Sequence, residues 1–260
     1  MKKLKNLIID MDGVLYRGKT PLPYSKEFIE FLKKRGYKFM LLTNNSSKTQ
    51  KEYQRKLLKM KIKVDENQIL TSSVAISKYL SKIKPCAKIY VIGERGLYSE
   101  LEKRGFEITK KDPDFVVVGW DRRFNFEKLN VACRLIRKGA EFYATNTDST
   151  YPQERGLLPG CGALVAAVQE CAGVKPHVVG KPNPYIINLA LNMMEAEKEE
   201  SAIIGDRIAT DILAGVRSGI KTILILTGIE DKKSLKESRV KPDFVFKDLV
   251  EILEWLKKKV

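Results

Sequence analysis

The sequence predicts an α/β protein built on doubly wound, Rossmann-like parallel sheet. Three observations predict it. Short runs are apolar at every position, as in Leu7-Ile8-Ile9 and Ala202-Ile203-Ile204. These runs alternate with longer segments whose apolar residues recur at helical spacing, the pattern of strands buried on both faces and covered by helices. Several runs also end in polar or acidic residues, where an open parallel sheet places its binding crevice.

The elements follow in order. Leu4–Ile9 reads as a strand ending in Asp10. Tyr24–Arg35 carries Phe28, Ile29, Phe31 and Leu32 at helical spacing, and Gly36 stops it. Tyr37–Leu42 is a second strand, ending in Thr43-Asn44-Asn45, and a basic helix runs from about Thr49 to Met60. Ser73–Ser81 is the next helix. The alternation then restarts with strand Lys88–Ile92, helix Leu97–Arg104, strand Phe115–Val118, helix Phe126–Lys138, strand Glu141–Ala144 and helix Ala163–Ala172. A last stretch repeats it: a short run at Val178-Val179, helix Tyr185–Met194, strand Ala202–Ile204, helix Ile208–Arg217, strands Thr222–Leu226 and Phe244–Phe246, and helix Leu249–Lys258. So many strand runs exceed what one sheet of this length needs, so two domains are expected. Boundaries fit near Lys82–Pro85 and Gly173–His177, where Gly and Pro interrupt the pattern.

Composition bounds the function classes. The 43% hydrophobic content supplies a packed core and excludes a disordered chain. No stretch approaches the length of a membrane span, and the apolar run at the start is too short for a signal peptide, so a cytoplasmic location is expected. Cys86, Cys133, Cys161 and Cys171 stand apart, which argues for small buried hydrophobes over a zinc site or disulfides. The net charge of +16 invites a polyanionic partner. Its excess is uneven: residues 1–75 carry 17 basic and 7 acidic residues, residues 179–260 carry 14 and 13. The densest run is Lys48 to Lys63, read as a solvated helix face in a Lys- and Glu-rich protein, a composition that fits a hot source.

The residues after each strand carry the chemistry. Asp10-Met11-Asp12-Gly13 follows the first, Thr43-Asn44-Asn45 the second, Gly180-Lys181-Pro182 the run at Val178-Val179, and Gly205-Asp206 with Asp211 the strand at 202–204. A single Asp after a strand is usually a helix cap. Four strand ends supplying four acids, a hydroxyl and a lysine need another account. Clustered carboxylates repel and call for a cation, and an all-oxygen ligand set suits Mg2+. A carboxylate-held Mg2+ beside a lysine and a hydroxyl is equipment for phosphoryl transfer.

At these residues the sequence resembles the phosphatases of the haloacid dehalogenase superfamily. Asp10-Met11-Asp12-Gly13-Val14-Leu15, Leu42-Thr43-Asn44-Asn45-Ser46-Ser47, Gly180-Lys181-Pro182 and Gly205-Asp206 with Asp211 look like its four motifs, in order. The long stretch between the second and third holds Ala144-Thr145-Asn146-Thr147-Asp148 and is similar to the branch of NagD and the 4-nitrophenylphosphatases, with a large inserted α/β cap. The resemblance implies a catalytic core of residues 1–76 and 179–260 and a cap of 77–178. It implies Asp10 as nucleophile and Asp12 as acid/base. Thr43, Asn44 and Lys181 would bind phosphate. Asp10, Asp206, Asp211 and the backbone carbonyl of Asp12 would hold Mg2+. Asn146 and Asp148 would set leaving-group preference, unless they form a plain Asx turn before Tyr151-Pro152. The implied activity is hydrolysis of a small phosphorylated metabolite through an aspartyl-phosphate. Candidates are 4-nitrophenyl phosphate as an artificial substrate, phosphoglycolate, glycerol phosphate, pyridoxal phosphate, and sugar or nucleoside monophosphates. A homodimer through the cap is also implied.

Other readings are weaker. Pro159-Gly160-Cys161-Gly162-Ala163 lacks the third glycine and the acid of a dinucleotide loop, so it reads as a helix start. His177 is read as a boundary or surface residue. A receiver domain would be about half this length and lack a cap. A phosphomutase of the same superfamily would isomerise sugar phosphates with little phosphate release. Nucleic-acid binding is not expected, because the basic run has only Tyr53 for aromatic interleaving and no recognised nucleic-acid motif appears.

Overall fold

The computed structural model describes residues 4–153 and 156–258. In chain order the elements are β1 (Asn6–Asp10), β2 (Tyr16–Arg17), β3 (Thr20–Pro21), α1 (Ser25–Lys34), β4 (Lys38–Thr43), α2 (Gln50–Lys59), β5 (Ile69–Thr71) and α3 (Ser72–Ile83). Next come β6 (Lys88–Ile92), α4 (Arg95–Glu102), β7 (Glu107–Ile108), β8 (Phe115–Val118), α5 (Phe126–Arg137), β9 (Glu141–Ala144), β10 (Thr150–Gln153), β11 (Gly156–Pro159), α6 (Cys161–Ala172) and β12 (His177–Val178). The last third holds α7 (Pro184–Met194), β13 (Ser201–Gly205), α8 (Leu213–Ser218), β14 (Lys221–Ile225), α9 (Lys232–Glu237), β15 (Phe244–Phe246) and α10 (Leu249–Lys258).

Two parallel sheets carry the fold. The first has strand order β15-β14-β13-β1-β4-β5 and the second β12-β9-β8-β6-β7. In the first, the chain winds outward from β1 to β4 and β5, leaves, and returns to wind the other way from β13. Its order therefore reverses beside β1, between strands that end in Asp10 and Gly205. That reversal opens a crevice at the carboxyl ends.

Alternation within β1 shows why the strand is apolar throughout. Leu7 and Ile9 pack into one cluster with α1, α2 and α10, while Ile8 packs into another with α3, α7 and α8. This second cluster continues into the other sheet through Ile89, Val91, Phe115 and Val117. The helix α3 runs unbroken through positions 76 and 77 on its way between the sheets.

The expected α/β class holds, with two parallel sheets. Three local readings need correction. Ile208–Arg217 is not one regular helix: Ile208–Ile212 forms a wide π-type turn and α8 follows it. Ile69–Thr71 is a fully buried sheet strand, too short to show a period. An antiparallel pair, β10 and β11, stands apart from both sheets. Among the cysteines, all of them free, Cys133 and Cys161 are buried as expected, but Cys86 is exposed. Among the described residues, no helix is long and apolar enough to cross a membrane.

Candidate active site

Asp10 is the last residue of β1 and is buried. The chain then turns sharply: the amides of Leu15 and Tyr16 both donate to the Met11 carbonyl. Met11 sinks into the apolar core, and Asp12 lines the same cavity as Asp10. Gly13 makes this turn with φ 84°, and a Cβ there would lie 2.2 Å from Asp206 Oδ2. A glycine is thus required by both backbone and contact.

Asp206 follows β13, and its Oδ2 accepts a hydrogen bond from the Ile229 amide at 2.9 Å. Asp211 sits in the wide turn, where its Oδ2 accepts from the Arg207 amide at 3.1 Å. Wide turns of this kind often mark functional sites. The turn brings Asp211 back against the strand end: a Cβ on Gly205 would lie 2.2 Å from the Asp211 Cβ.

Lys181 reaches in from the stretch after β12 and is 2% exposed. Its Nζ donates to Asp10 Oδ1 and to Asp211 Oδ1, both at 2.5 Å. Ligand oxygens of Asp10, Asp206 and Asp211 all fall within 4.8 Å of one another. Three carboxylates and one ammonium leave a formal charge of −2, which a divalent cation would match. The electrostatics agree. Burial, then the charges of Asp211 and Asp206, push the Asp10 carboxyl well above the usual range, with Lys181 opposing. Burial and Asp211 push Asp206 up to about 7. Burial alone would depress Lys181, but its two carboxylate partners more than reverse that, so it stays charged. The donor set therefore fits a hard divalent cation with oxygen ligands.

Thr43 ends β4 and lines the cavity together with Asn44 and Asn45. Its Oγ1 accepts from the Asn45 amide at 3.1 Å. The Asn44 side chain is committed to holding the site together. Its Nδ2 donates to Asp148 Oδ2 at 3.1 Å and to the Lys181 carbonyl at 3.0 Å, and its Oδ1 accepts from the Lys181 amide at 2.9 Å. A phosphoryl contact at this position would use the backbone.

The segment after β9 closes the cavity from the other sheet. Asn146 donates from Nδ2 to the Asn44 carbonyl at 2.7 Å, tying the two sheets' strand ends together. Its Oδ1 accepts from the Asp148 amide at 3.1 Å, so the Asx turn is present, and both residues also line the cavity. Burial raises Asp148, partly offset by Arg207, whose Nη1 lies 3.9 Å from Asp148 Oδ1.

Four lining residues escaped sequence reasoning: Trp120, Tyr151, Arg207 and Thr210. Tyr16, outside the lining, was missed as well, and its hydroxyl donates to Asp12 Oδ2 at 3.2 Å. Only the position of Arg207, next to Asp206, offered a signal. Gly160 and Cys161 do start helix α6. His177 is exposed on β12, with its ring 5.3 Å from that of Tyr143, and does not line the cavity. Within the basic run, Lys51, Arg55, Lys59, Lys61 and Lys63 are exposed as expected, but Lys56 is not on a solvated face. Its Nζ lies 3.5 Å from the centroid of the buried Tyr16 ring.

Comparison with known proteins places this site in a family. Residues 7–107 match the model of haloacid dehalogenase-like hydrolases, and residues 178–252 match a second model of that group, HAD-hydrolase-like. The chain is 38% identical over 256 residues to the 5'-nucleotidase YutF of Bacillus subtilis, covering 98% of this chain and 100% of that protein. It superposes on the 4-nitrophenylphosphatase of Thermotoga maritima with a TM-score of 0.92 at 37% identity, covering 96% of this chain and 97% of that one. It superposes on NagD of Escherichia coli K-12 with a TM-score of 0.89 at 38% identity, covering 96% and 98%.

Proposed function

The chain belongs to the haloacid dehalogenase-like hydrolases, in their NagD-like branch, and is a phosphatase of that type; from this premise we propose that it hydrolyses the phosphomonoester of a small metabolite through a phosphoryl group carried on Asp10. One observation carries the reading. Asp10 and Asp12, two residues apart, line one cavity with the Thr43 hydroxyl and the Lys181 ammonium.

In the first step an Asp10 carboxylate oxygen attacks phosphorus in line, and the bond from phosphorus to the ester oxygen breaks. Asp12 passes its proton to that oxygen, which leaves as an alcohol. Burial raises the Asp12 carboxyl and so favours the protonated form this step needs, with Lys56 and the Tyr151 and Tyr16 hydroxyls opposing. In the second step water attacks phosphorus, Asp12 takes back a proton, and the bond to Asp10 breaks to release phosphate. Lys181 offsets charge on the phosphoryl oxygens throughout, and Thr43 and the adjoining backbone orient them.

Asp10, Asp206, Asp211 and the Asp12 carbonyl would hold Mg2+, which when bound neutralises the carboxylates and the phosphoryl charge. The nucleotidase and 4-nitrophenylphosphatase names of the relatives support a phosphomonoester substrate with a small organic leaving group.

The test is phosphate release from 4-nitrophenyl phosphate. Asp10→Asn should lower turnover by at least about a thousandfold with the circular dichroism spectrum unchanged. An Asp10→Asn protein that still turns over at the native rate rules the assignment out.

A further inference from the structure

We infer that Tyr151 is a positioning residue for the acid/base, brought to the core by the antiparallel pair β10–β11. The inference rests on the reading of Asp12 given above and adds a residue to it.

Both oxygens of Asp12 are held. Oδ1 accepts from the Tyr151 hydroxyl at 2.8 Å, and Oδ2 accepts from the Tyr16 hydroxyl at 3.2 Å. The two hydroxyls come from different parts of the chain. Tyr16 lies four residues past Asp12 and is fully buried under the Lys56 ammonium. Tyr151 lies 139 residues away in sequence and is half-buried.

Tyr151 is itself fixed. Its ring packs on Trp120 with centroids 4.7 Å apart and planes at 43°. Trp120 donates from Nε1 to the Pro159 carbonyl at 3.0 Å, at the end of β11. Its amide donates to Ser46 Oγ at 3.0 Å, in the segment after β4. The indole is thus pinned to the hairpin on one side and to the first sheet on the other. Burial, together with the Asp12 charge, pushes the Tyr151 phenol far above its ordinary value, so its hydroxyl remains a donor.

A general acid works only when its proton is aimed at the leaving oxygen. Tyr16 alone fixes one oxygen and leaves the carboxyl free to rotate about its last torsion. The Tyr151 bond removes that freedom. It makes the aim of Asp12 depend on the hairpin being docked over the core. Tyr151 neither gains nor loses a proton in the cycle. The proton moves from Asp12 to the ester oxygen, and later from water to Asp12.

The consequence is a dependence on leaving-group basicity. Nitrophenolate leaves with little protonation; phenolate needs more. The experiment compares kcat/KM for 4-nitrophenyl phosphate and phenyl phosphate, which share a ring, in the native enzyme, Tyr151→Phe and Asp12→Ala. The Phe variant keeps the packing on Trp120. In Tyr151→Phe, kcat/KM for phenyl phosphate should fall roughly 10- to 100-fold and for 4-nitrophenyl phosphate less than about fivefold, as one lost orienting bond implies. Equal losses on the two esters overturn the inference and make Tyr151 a substrate contact or a structural residue. If Asp12→Ala also lacks the unequal loss, the reading of Asp12 fails with it. If Asp12→Ala shows it and Tyr151→Phe does not, only the role of Tyr151 fails.

Discussion

The two sheets share a parallel architecture and treat the acids at their strand ends in opposite ways. After β6 and β8 of the second sheet stand Glu94 and Asp121. Arg122 grips Glu94 with Nε at 2.7 Å and Nη2 at 2.6 Å, and Lys128 meets Asp121 at 2.6 Å. Burial alone would raise Glu94, but the Arg122 hydrogen bonds hold its carboxyl below the usual value. After β1 and β13 of the first sheet stand Asp10 and Asp206, with Asp211 beside them and Lys181 as their shared ammonium. There burial dominates and the Asp10 and Asp206 carboxyls rise. Pairing each acid with its own cation stabilises a loop. Gathering three acids around one cation leaves charge uncompensated, a destabilised arrangement that a metal and a phosphoryl group can use.

Stability against pH would sharpen this contrast most. Asp206 titrates near 7 in the folded protein against 3.8 for an unperturbed carboxyl. Between those values the folded state holds the extra proton, so stability falls as pH rises through the window. The effect is on the order of 4 kcal/mol at full extent. With a chelator present, Asp206→Asn should therefore unfold at higher temperature than the native protein. The gap should widen from pH 5 to pH 8, reaching on the order of 10 °C. Added divalent metal should close it by raising the native protein. A gap that shrinks with rising pH contradicts the assignment.

The second sheet predicts the smaller effect. Glu94→Gln breaks a bidentate pair whose Arg122 side chain is 60% exposed, so screening limits the loss to about 1 kcal/mol. Chemical denaturation should show that change, and phosphatase turnover should stay within about twofold. A larger loss of turnover would place the second sheet's ion pairs in the catalytic machinery.

How much of this was legible depended on what fixes each residue's position. Asp10, Thr43 and Asp206 sit at strand ends, and Lys181 lies just after β12. The topology of a parallel sheet assigns strand ends to the crevice, so local pattern sufficed. The wide turn at Ile208–Ile212 was misread as regular helix because its apolar spacing suits either. What decides it is tertiary: Asp211 accepts from the Arg207 amide while also bonding Lys181. Tyr16, Trp120 and Tyr151 left no trace of their role. An aromatic residue in a run of apolar ones reads as core, and Tyr16 is indeed core except at its hydroxyl. Tyr151 meets Asp12 only because the hairpin folds back across the first sheet, a contact no periodicity encodes. Lys56 shows the same limit: one lysine of a basic helix turns inward onto an aromatic ring, and burial lowers it to about 8.

The claim that the uncompensated cluster exists to carry a phosphoryl group on Asp10 is tested most directly by trapping it. Asp12→Ala slows release by water while nitrophenolate still leaves readily, so 4-nitrophenyl phosphate should load the enzyme. Rapid acid quench and peptide mass spectrometry should find one phosphoryl group on the peptide that carries Asp10. Phosphate release with no protein-bound phosphoryl group, or a label on any other residue, would contradict the account.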